Sequence, residues 1–176
     1  RRHDLALEVV QAMPSARRDA IRRLLADDAR RPALVYAPSR RESEELAGEL
    51  GADHPSAAYH AGMPSQERDQ VQAAFLSGEL EVVVATIAFG MGIDKPDIRT
   101  VVHAALPATV EGYSQEIGRA GRDGKGARAV LLWSWGDRRT HEYFLERDYP
   151  PVRRLERVFR ALRKGAVPLD ELAAGL

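Results

Sequence analysis

Residues 81–85 read Glu81-Val82-Val83-Val84-Ala85, the clearest strand signal in the chain. A second run, Ala33-Leu34-Val35-Tyr36-Ala37, follows Pro32. It has the unbroken hydrophobicity of a strand covered on both faces in a parallel sheet. Working outward, further strands are expected at Leu5 to Val10, Thr100 to His103 and Ala129 to Trp133, with a weaker one at Ala57 to Tyr59. Helical stretches lie between them. Pro14-Ser15 opens one that carries Ala20, Ile21, Leu24 and Leu25 at helical spacing. Ser39 caps a second, with Glu42 three residues on as the partner in a capping box, and Gly51 ends it. A third starts at Pro64-Ser65, carries Val71, Ala74 and Phe75, and stops at Gly78. A fourth runs from about Thr109 to Gly118. Strands alternating with helices of this length predict an α/β fold, with a mainly parallel sheet and helices on both faces.

From about Gly136 the pattern turns all-helical. Tyr149-Pro150-Pro151 breaks it, and a helix from Val152 to Lys164 follows. Val152, Leu155, Phe159 and Leu162 share one face of that helix, while Arg153, Arg154, Arg157, Arg160, Arg163 and Lys164 supply charge elsewhere. A domain edge is therefore expected near Asp148, with residues 1–148 as one domain and 149–176 as a helical extension.

Composition narrows the function. The chain has 176 residues, 44% hydrophobic and 30% charged, the profile of a globular protein with room for a real core. Lys+Arg and Asp+Glu cancel at 26 each, so a nucleic-acid surface must be local. No cysteine is present, which excludes a disulfide framework and a thiolate zinc site built from these residues. No stretch reaches the roughly 18 apolar residues that span a membrane. The first residues lack a signal-peptide profile, so a cytoplasmic location is expected. The chain begins without Met, as a segment of something longer would.

The richest chemical stretch is Gln115-Glu116-Ile117-Gly118-Arg119-Ala120-Gly121-Arg122-Asp123-Gly124. Two guanidiniums stand three residues apart at a helix end, among glycines that allow sharp turns and close approach. Arginine reads phosphate with a planar fork and keeps its charge near neutral pH. The stretch is either a device that reaches a nucleotide's terminal phosphate or a Gly-rich helix end with solvated arginines. Other candidates stand where strands end, as ligand groups do in open parallel sheets. Pro38-Ser39-Arg40-Arg41 offers a hydroxyl, a helix N-terminus and two guanidiniums, suited to phosphate or equally to a capped surface helix. His60 in His60-Ala61-Gly62-Met63 reads as a turn residue, with no metal-ligand spacing around it. Thr86-Ile87-Ala88-Phe89-Gly90-Met91-Gly92-Ile93-Asp94-Lys95-Pro96 offers a hydroxyl that can donate to phosphate and, at Asp94, an acceptor for a ribose hydroxyl, or is equally a plain Gly-containing loop. No Gly-x-x-x-x-Gly-Lys-Ser/Thr occurs anywhere, so these residues build no phosphate-cradling loop of their own. No Asp-Glu pair of the kind that holds Mg²⁺ is evident either. The arginines are half of an active site.

Taken in order, these segments resemble the second RecA-like domain of superfamily 2 helicases, and specifically RecQ-family DNA helicases. Residues 34–40 match motif IV, 58–63 the short motif after it, 85–96 motif V, and 113–124 motif VI. DEAD-box RNA helicases share the Gly-Arg-x-Gly-Arg, but usually carry His-Arg where this chain has Gln115-Glu116, and usually lack Phe89-Gly90-Met91-Gly92. The resemblance implies a RecA-like three-layer sandwich acting as the motor half of an ATP-dependent 3′–5′ DNA helicase in repair and recombination. Arg119 and Arg122 would be arginine fingers facing ATP with Mg²⁺, held mainly by a first RecA-like domain of the same protein. Gln115 would couple nucleotide to cleft closure, and Gly92 and Asp94 would help hold the nucleotide. Ser39, Arg40, His60 and Thr86 would contact single-stranded DNA at a duplex junction. Nucleoid association is the family-like expectation. The isolated segment is expected to be inactive. RecQ proteins usually continue into a zinc subdomain and winged helix; here the zinc unit is expected either to be absent, the favoured reading, or to lie beyond residue 176, with residues 149–176 leading toward a winged-helix-like DNA-binding module. The other readings are a non-catalytic RecA-like binding module and an RNA helicase of the same superfamily.

Overall fold

Every residue of β2 (Ala33–Tyr36) and β4 (Val82–Ala85) is buried, and the two strands pair in parallel as neighbours at the centre of a sheet. The computed structural model describes residues 4–86, 94–148, 151–163 and 165–168. The sheet is completed by β1 (Leu5–Gln11), β3 (Ser56–Tyr59), β5 (Thr100–His103) and β6 (Ala127–Trp133). Its order is β1-β6-β5-β2-β4-β3, and all the pairings are parallel. The expected α/β class therefore holds, and the sheet goes further than "mainly parallel". The chain forms two compact units, Arg1–Trp135 and Gly136–Leu176, dividing ahead of the edge expected near Asp148.

Helices cover both faces of the first unit. Ile21 and Leu25 of α1 (Pro14–Leu25) and Leu46, Ala47 and Leu50 of α2 (Arg40–Leu50) share one core with Val35, Val84, Val102 and Val130. The opposite core gathers Phe75 and Val71 of α3 (Ser65–Ser77) and Ile117 of α4 (Val110–Ile117) with Leu34, Val83, Val101 and Ile98. Alternate residues of one strand thus feed different cores, which is why these strands are apolar at every position. Each large side chain so buried contributes roughly 1.5–3 kcal/mol before the entropy of ordering it.

Local signals start and stop the helices. Pro14 occupies the first turn of α1, where its missing N–H costs nothing. Ser39 Oγ accepts from the Glu42 N–H at 3.2 Å, and Thr109 Oγ1 accepts from the Gly112 N–H at 3.0 Å. Gly78 ends α3 in the left-handed region, at φ 89°.

The connections create a crevice. Strands β2 and β5 are neighbours, yet α2 after β2 lies on one face and α4 after β5 on the other. Where successive helices diverge in this way, the carboxyl ends of the two strands frame an opening. Those ends are tied together: Ala37 N–H donates to Ala85 O, Ala104 N–H to Tyr36 O, and Thr86 N–H to Tyr59 O. On the far side of the sheet edge, buried Arg17 of α1 donates to Ala12 O, Ala104 O and Ser134 Oγ at 2.8–3.1 Å. One guanidinium thus fastens the ends of β1, β5 and β6.

The second unit contains most of α5 (Trp135–Asp148) and all of α6 (Val152–Leu162), which begins after Pro151 as expected. Val152, Leu155, Phe159 and Leu162 do form one stripe on α6, and all four are exposed.

Candidate functional site

The arginine-bearing stretch leaves α4 at Gly118 and is pinned at once to the sheet. Gly121 donates its N–H to Ile98 O at 2.9 Å, and Asp123 donates to Pro96 O at 3.1 Å. Gly121 has φ 61°, a conformation that favours glycine, which explains its place between the two arginines. The turn therefore lies against the segment 96–98 that feeds β5. Arg99 secures it from below, donating to Asp123 Oδ1 at 2.7 Å and to Gly126 O at 3.1 Å. The hydrogen bond from Arg99, helped by the Lys125 N–H, holds the Asp123 carboxyl below the usual aspartate range. Because the folded value is depressed, this stabilisation is present above the ordinary value near ~3.9 and is lost as pH falls through the folded value. A carbon-detected NMR titration is expected to place the Asp123 midpoint below ~3.9, and Arg99→Gln to bring it back up. An unshifted midpoint in the unmodified protein would remove this link.

Two expected nucleotide residues meet directly. Arg122 Nη1 donates to Asp94 Oδ1 at 2.7 Å, and Arg122 Nε donates to Gly118 O at 3.3 Å. The side chains are 39% and 83% exposed, so this is a surface ion pair worth at most about 1 kcal/mol. Its partners are easily exchanged for a more highly charged anion. Arg119 is half-buried, and its positive charge acts on the Tyr36 hydroxyl at the end of β2. Gln115 lies exposed on α4, one turn before the arginines. Gly92, with the rest of 87–93, lies outside the described residues.

The candidate nucleic-acid residues collect at the carboxyl ends of β2, β3 and β4. Ser39 and Arg40 open α2 after β2, His60 follows β3, and Thr86 follows β4. Arg40 and His60 converge on Gly62. A Cβ there would stand 2.9 Å from Arg40 Nη1 and 3.2 Å from His60 Nδ1, so the bare glycine is what lets the guanidinium lie over the turn. His60 is buried, and its Nε2 lies 2.9 Å from Glu44 Oε1 of α2. The turn histidine expected from sequence is therefore braced by a carboxylate. Ser39 Oγ serves as the cap and is exposed.

Several participants carried no sequence signal strong enough to single them out. His103 ends β5 with 1% exposure, stacks on Tyr36 at 5.0 Å between ring centroids, and meets Tyr113 at the same distance. Its Nε2 lies 2.7 Å from Glu116 Oε2. Burial pushes the Tyr36 hydroxyl well above the usual tyrosine range, so it stays protonated. The one available hint was Glu116 on the apolar side of α4 beside Tyr113 and Ile117, opposite a strand that ends in histidine. Lys95 is buried as well, paired with Asp97 at 3.2 Å and set 5.5 Å over the Phe75 ring.

Chemically, a guanidinium can donate to phosphate oxygens, and a carboxylate such as that of Asp94 can accept from a hydroxyl. Among the described residues no three His, Cys, Asp or Glu side chains gather to hold a metal ion. No helix of the described residues is long and apolar enough to cross a membrane.

Known proteins resemble this chain in sequence and in fold. The model of the helicase conserved C-terminal domain matches residues 16–124. The probable ATP-dependent DNA helicase RecS of Bacillus subtilis is 40% identical over 93% of this chain and 33% of its own length. ATP-dependent DNA helicase RecQ of Pasteurella multocida is 47% identical over 70% of this chain and 20% of its own. The chain thus spans a third or less of these curated relatives. Among solved structures, a DEAD box protein of Methanococcus jannaschii superimposes with a TM-score of 0.69 at 27% identity, over 82% of this chain and 40% of that one. The chain belongs to the helicase conserved C-terminal domain family, and its relatives there are RecQ-type DNA helicases.

Proposed function

We infer that this chain is the motor half of an ATP-dependent 3′–5′ DNA helicase, supplying arginines to a nucleotide held mainly by another RecA-like domain of the same protein. The observation that carries this reading is the pairing of Arg122 with Asp94, beside Arg119, in a chain without a phosphate-cradling loop. When ATP is bound across the two domains, Arg122 leaves Asp94 for the terminal phosphate, and Asp94 becomes free to accept from the ribose. Arg119 and Arg122 then donate to oxygens over which negative charge spreads during phosphoryl transfer. Gln115 links the nucleotide to closure of the cleft. Mg²⁺ would come with the nucleotide and be held mainly by the other domain.

Ser39, Arg40, His60 and Thr86 hold the backbone of a single strand at a duplex junction without reading bases. Closing on ATP and reopening after hydrolysis moves the two domains along that strand, in the service of DNA repair and recombination in the cytoplasm. Residues 149–176 are assigned to an extension that leads toward a further DNA-binding module. The RecQ-type relatives favour DNA over RNA as the substrate.

The segment alone is expected to show no ATP turnover, with or without DNA, whereas the full-length protein shows DNA-stimulated turnover. Turnover by the purified segment that survives Arg122→Ala would refute the division of labour. Strand displacement from 5′-tailed but not 3′-tailed duplexes would refute the direction.

A further inference from the structure

We propose that Glu116 and His103 are a positioning pair: their buried contact fixes the rotation and slide of α4 on the sheet, and so sets where Arg119 is delivered to a phosphate. The proposal rests on the arginine reading above and deepens it. Helix α4 has eight residues, and the one buried among them is a carboxylate, Glu116. A helix this short is marginal by itself, so tertiary contacts decide where it lies. The anchoring contact here is polar, with Glu116 Oε2 standing 2.7 Å from Nε2 of His103 at the carboxyl end of β5. His103 Nδ1 is buried with no hydrogen-bond partner among the described residues. A proton on Nδ1 would find no acceptor, so Nε2 carries it and donates to Glu116.

The imidazole that receives the helix is itself held in place. Its ring stacks on Tyr36, at the end of the neighbouring strand β2, at 18° and 5.0 Å between centroids. Tyr113 of α4 meets the same imidazole, also at 5.0 Å. Tyr113 and Glu116 stand three apart and so share one helix face. Gripping one fixed ring at two points sets both the rotation of α4 about its axis and its slide along it. An apolar contact alone tolerates sliding, whereas a directed bond of 2.7 Å does not.

What the helix delivers follows at once. The Glu116 carbonyl accepts from Arg119 N–H at 3.2 Å, so the backbone of the first arginine is tied to the residue whose side chain meets His103. Downstream, Gly121 N–H donates to Ile98 O at 2.9 Å, and Arg119 lies between the two tethers. Stability does not require the upstream tether to be polar. A buried carboxylate–imidazole contact recovers little beyond its desolvation cost, and a well-packed apolar pair of similar volume is often as stable or more so. Placement is what the polar pair adds, because a donor that acts on developing charge works best when held at its working geometry beforehand.

The test uses the full-length protein with His103→Phe and Glu116→Leu together, which keeps a ring beside Tyr36 and removes both polar partners at once. The thermal midpoint is expected at or above the wild-type value, and KM for ATP stays unchanged. The value of kcat for DNA-stimulated ATP hydrolysis falls by about 10- to 100-fold, the scale of a small misplacement of a reacting group. In an Arg119→Ala background the double replacement is expected to cost nothing further, since the pair acts through Arg119. Wild-type kcat in the folded double variant, or an equal loss in both backgrounds, overturns the proposal. Should the double variant fail to fold, Glu116→Gln and Glu116→Asp decide. Glutamine keeps the length of the side chain and an oxygen that accepts from Nε2, so kcat stays within a few-fold of wild type. Aspartate keeps the charge but falls short of the ring, so kcat drops by about 10-fold or more at unchanged KM. Any other order overturns the proposal. If Arg119→Ala itself turns over ATP normally, the arginine reading falls and the positioning role with it. If Arg119→Ala is inactive while the double variant is fully active, only the positioning role falls.

Discussion

Replacing Arg122 by alanine in the full-length protein is expected to lower ATP turnover by about 10³- to 10⁵-fold while leaving ATP affinity within a few-fold of wild type. The size follows from what the residue does not do in the folded domain. Its side chain is partly exposed, and its contacts are a surface carboxylate and one backbone carbonyl at 3.3 Å. Deleting such a residue costs the fold at most about 1 kcal/mol, so a large kinetic loss cannot be blamed on unfolding. Affinity is expected to survive because the proposed function puts most of the grip on the nucleotide in the other domain. Arg122→Lys is expected to recover little, since an ammonium cannot present the planar two-pronged donor set to phosphate. Parallel measurement of turnover and of equilibrium ATP binding separates these effects. Wild-type turnover in Arg122→Ala would sink the finger assignment.

Phe75→Ala is expected to be the most damaging single substitution in the second core, at about 3–5 kcal/mol. Phe75 is completely buried among Leu34, Tyr36, Val83 and Ile98, and it is the one fully buried residue of α3. Its loss opens a phenyl-sized cavity beneath that helix. It also removes the ring under Lys95, whose ammonium is nearly buried and, among the described residues, is paired with Asp97. Cation–ring contacts of this kind are worth roughly 0.5–2 kcal/mol, so the effect should lie toward the upper end. Chemical denaturation of the chain should show the loss in full, and Phe75→Leu should restore most of it. A cost below about 1 kcal/mol for Phe75→Ala would mean that α3 is not held by this core.

How far these features could be read in advance depends on how local their causes are. The central strands declared themselves because β2 and β4 are covered on both faces and so carry no charged residue. Edge strand β1 was readable for a different reason: it keeps Leu7, Val9 and Val10 although all three are exposed. Helix starts at Pro14, Ser39 and Thr109 were legible because a cap acts within three residues. The two arginines were legible because glycines flank them in the chain.

Long-range geometry was not legible. Arg17 bonds Ala104 and Ser134 across 87 and 117 residues, and nothing near it in the sequence distinguishes it from Arg18, Arg22 or Arg23 of the same helix. The partnership of His103 with Glu116 depends on α4 folding back over the end of β5, which no spacing rule encodes. Likewise, the sequence places β2 after β1 but cannot say that β5 and β6 will insert between them. That insertion is what sets Tyr36 beside His103.

The direct measurement is a structure of the full-length protein with a non-hydrolysable ATP analogue and a single-stranded DNA tail. The predicted result places the Arg119 and Arg122 guanidiniums within about 3 Å of terminal phosphate oxygens, with Asp94 released from Arg122. A nucleotide seated across the two RecA-like domains while Arg122 stays on Asp94, and neither arginine approaches the phosphates, would contradict it.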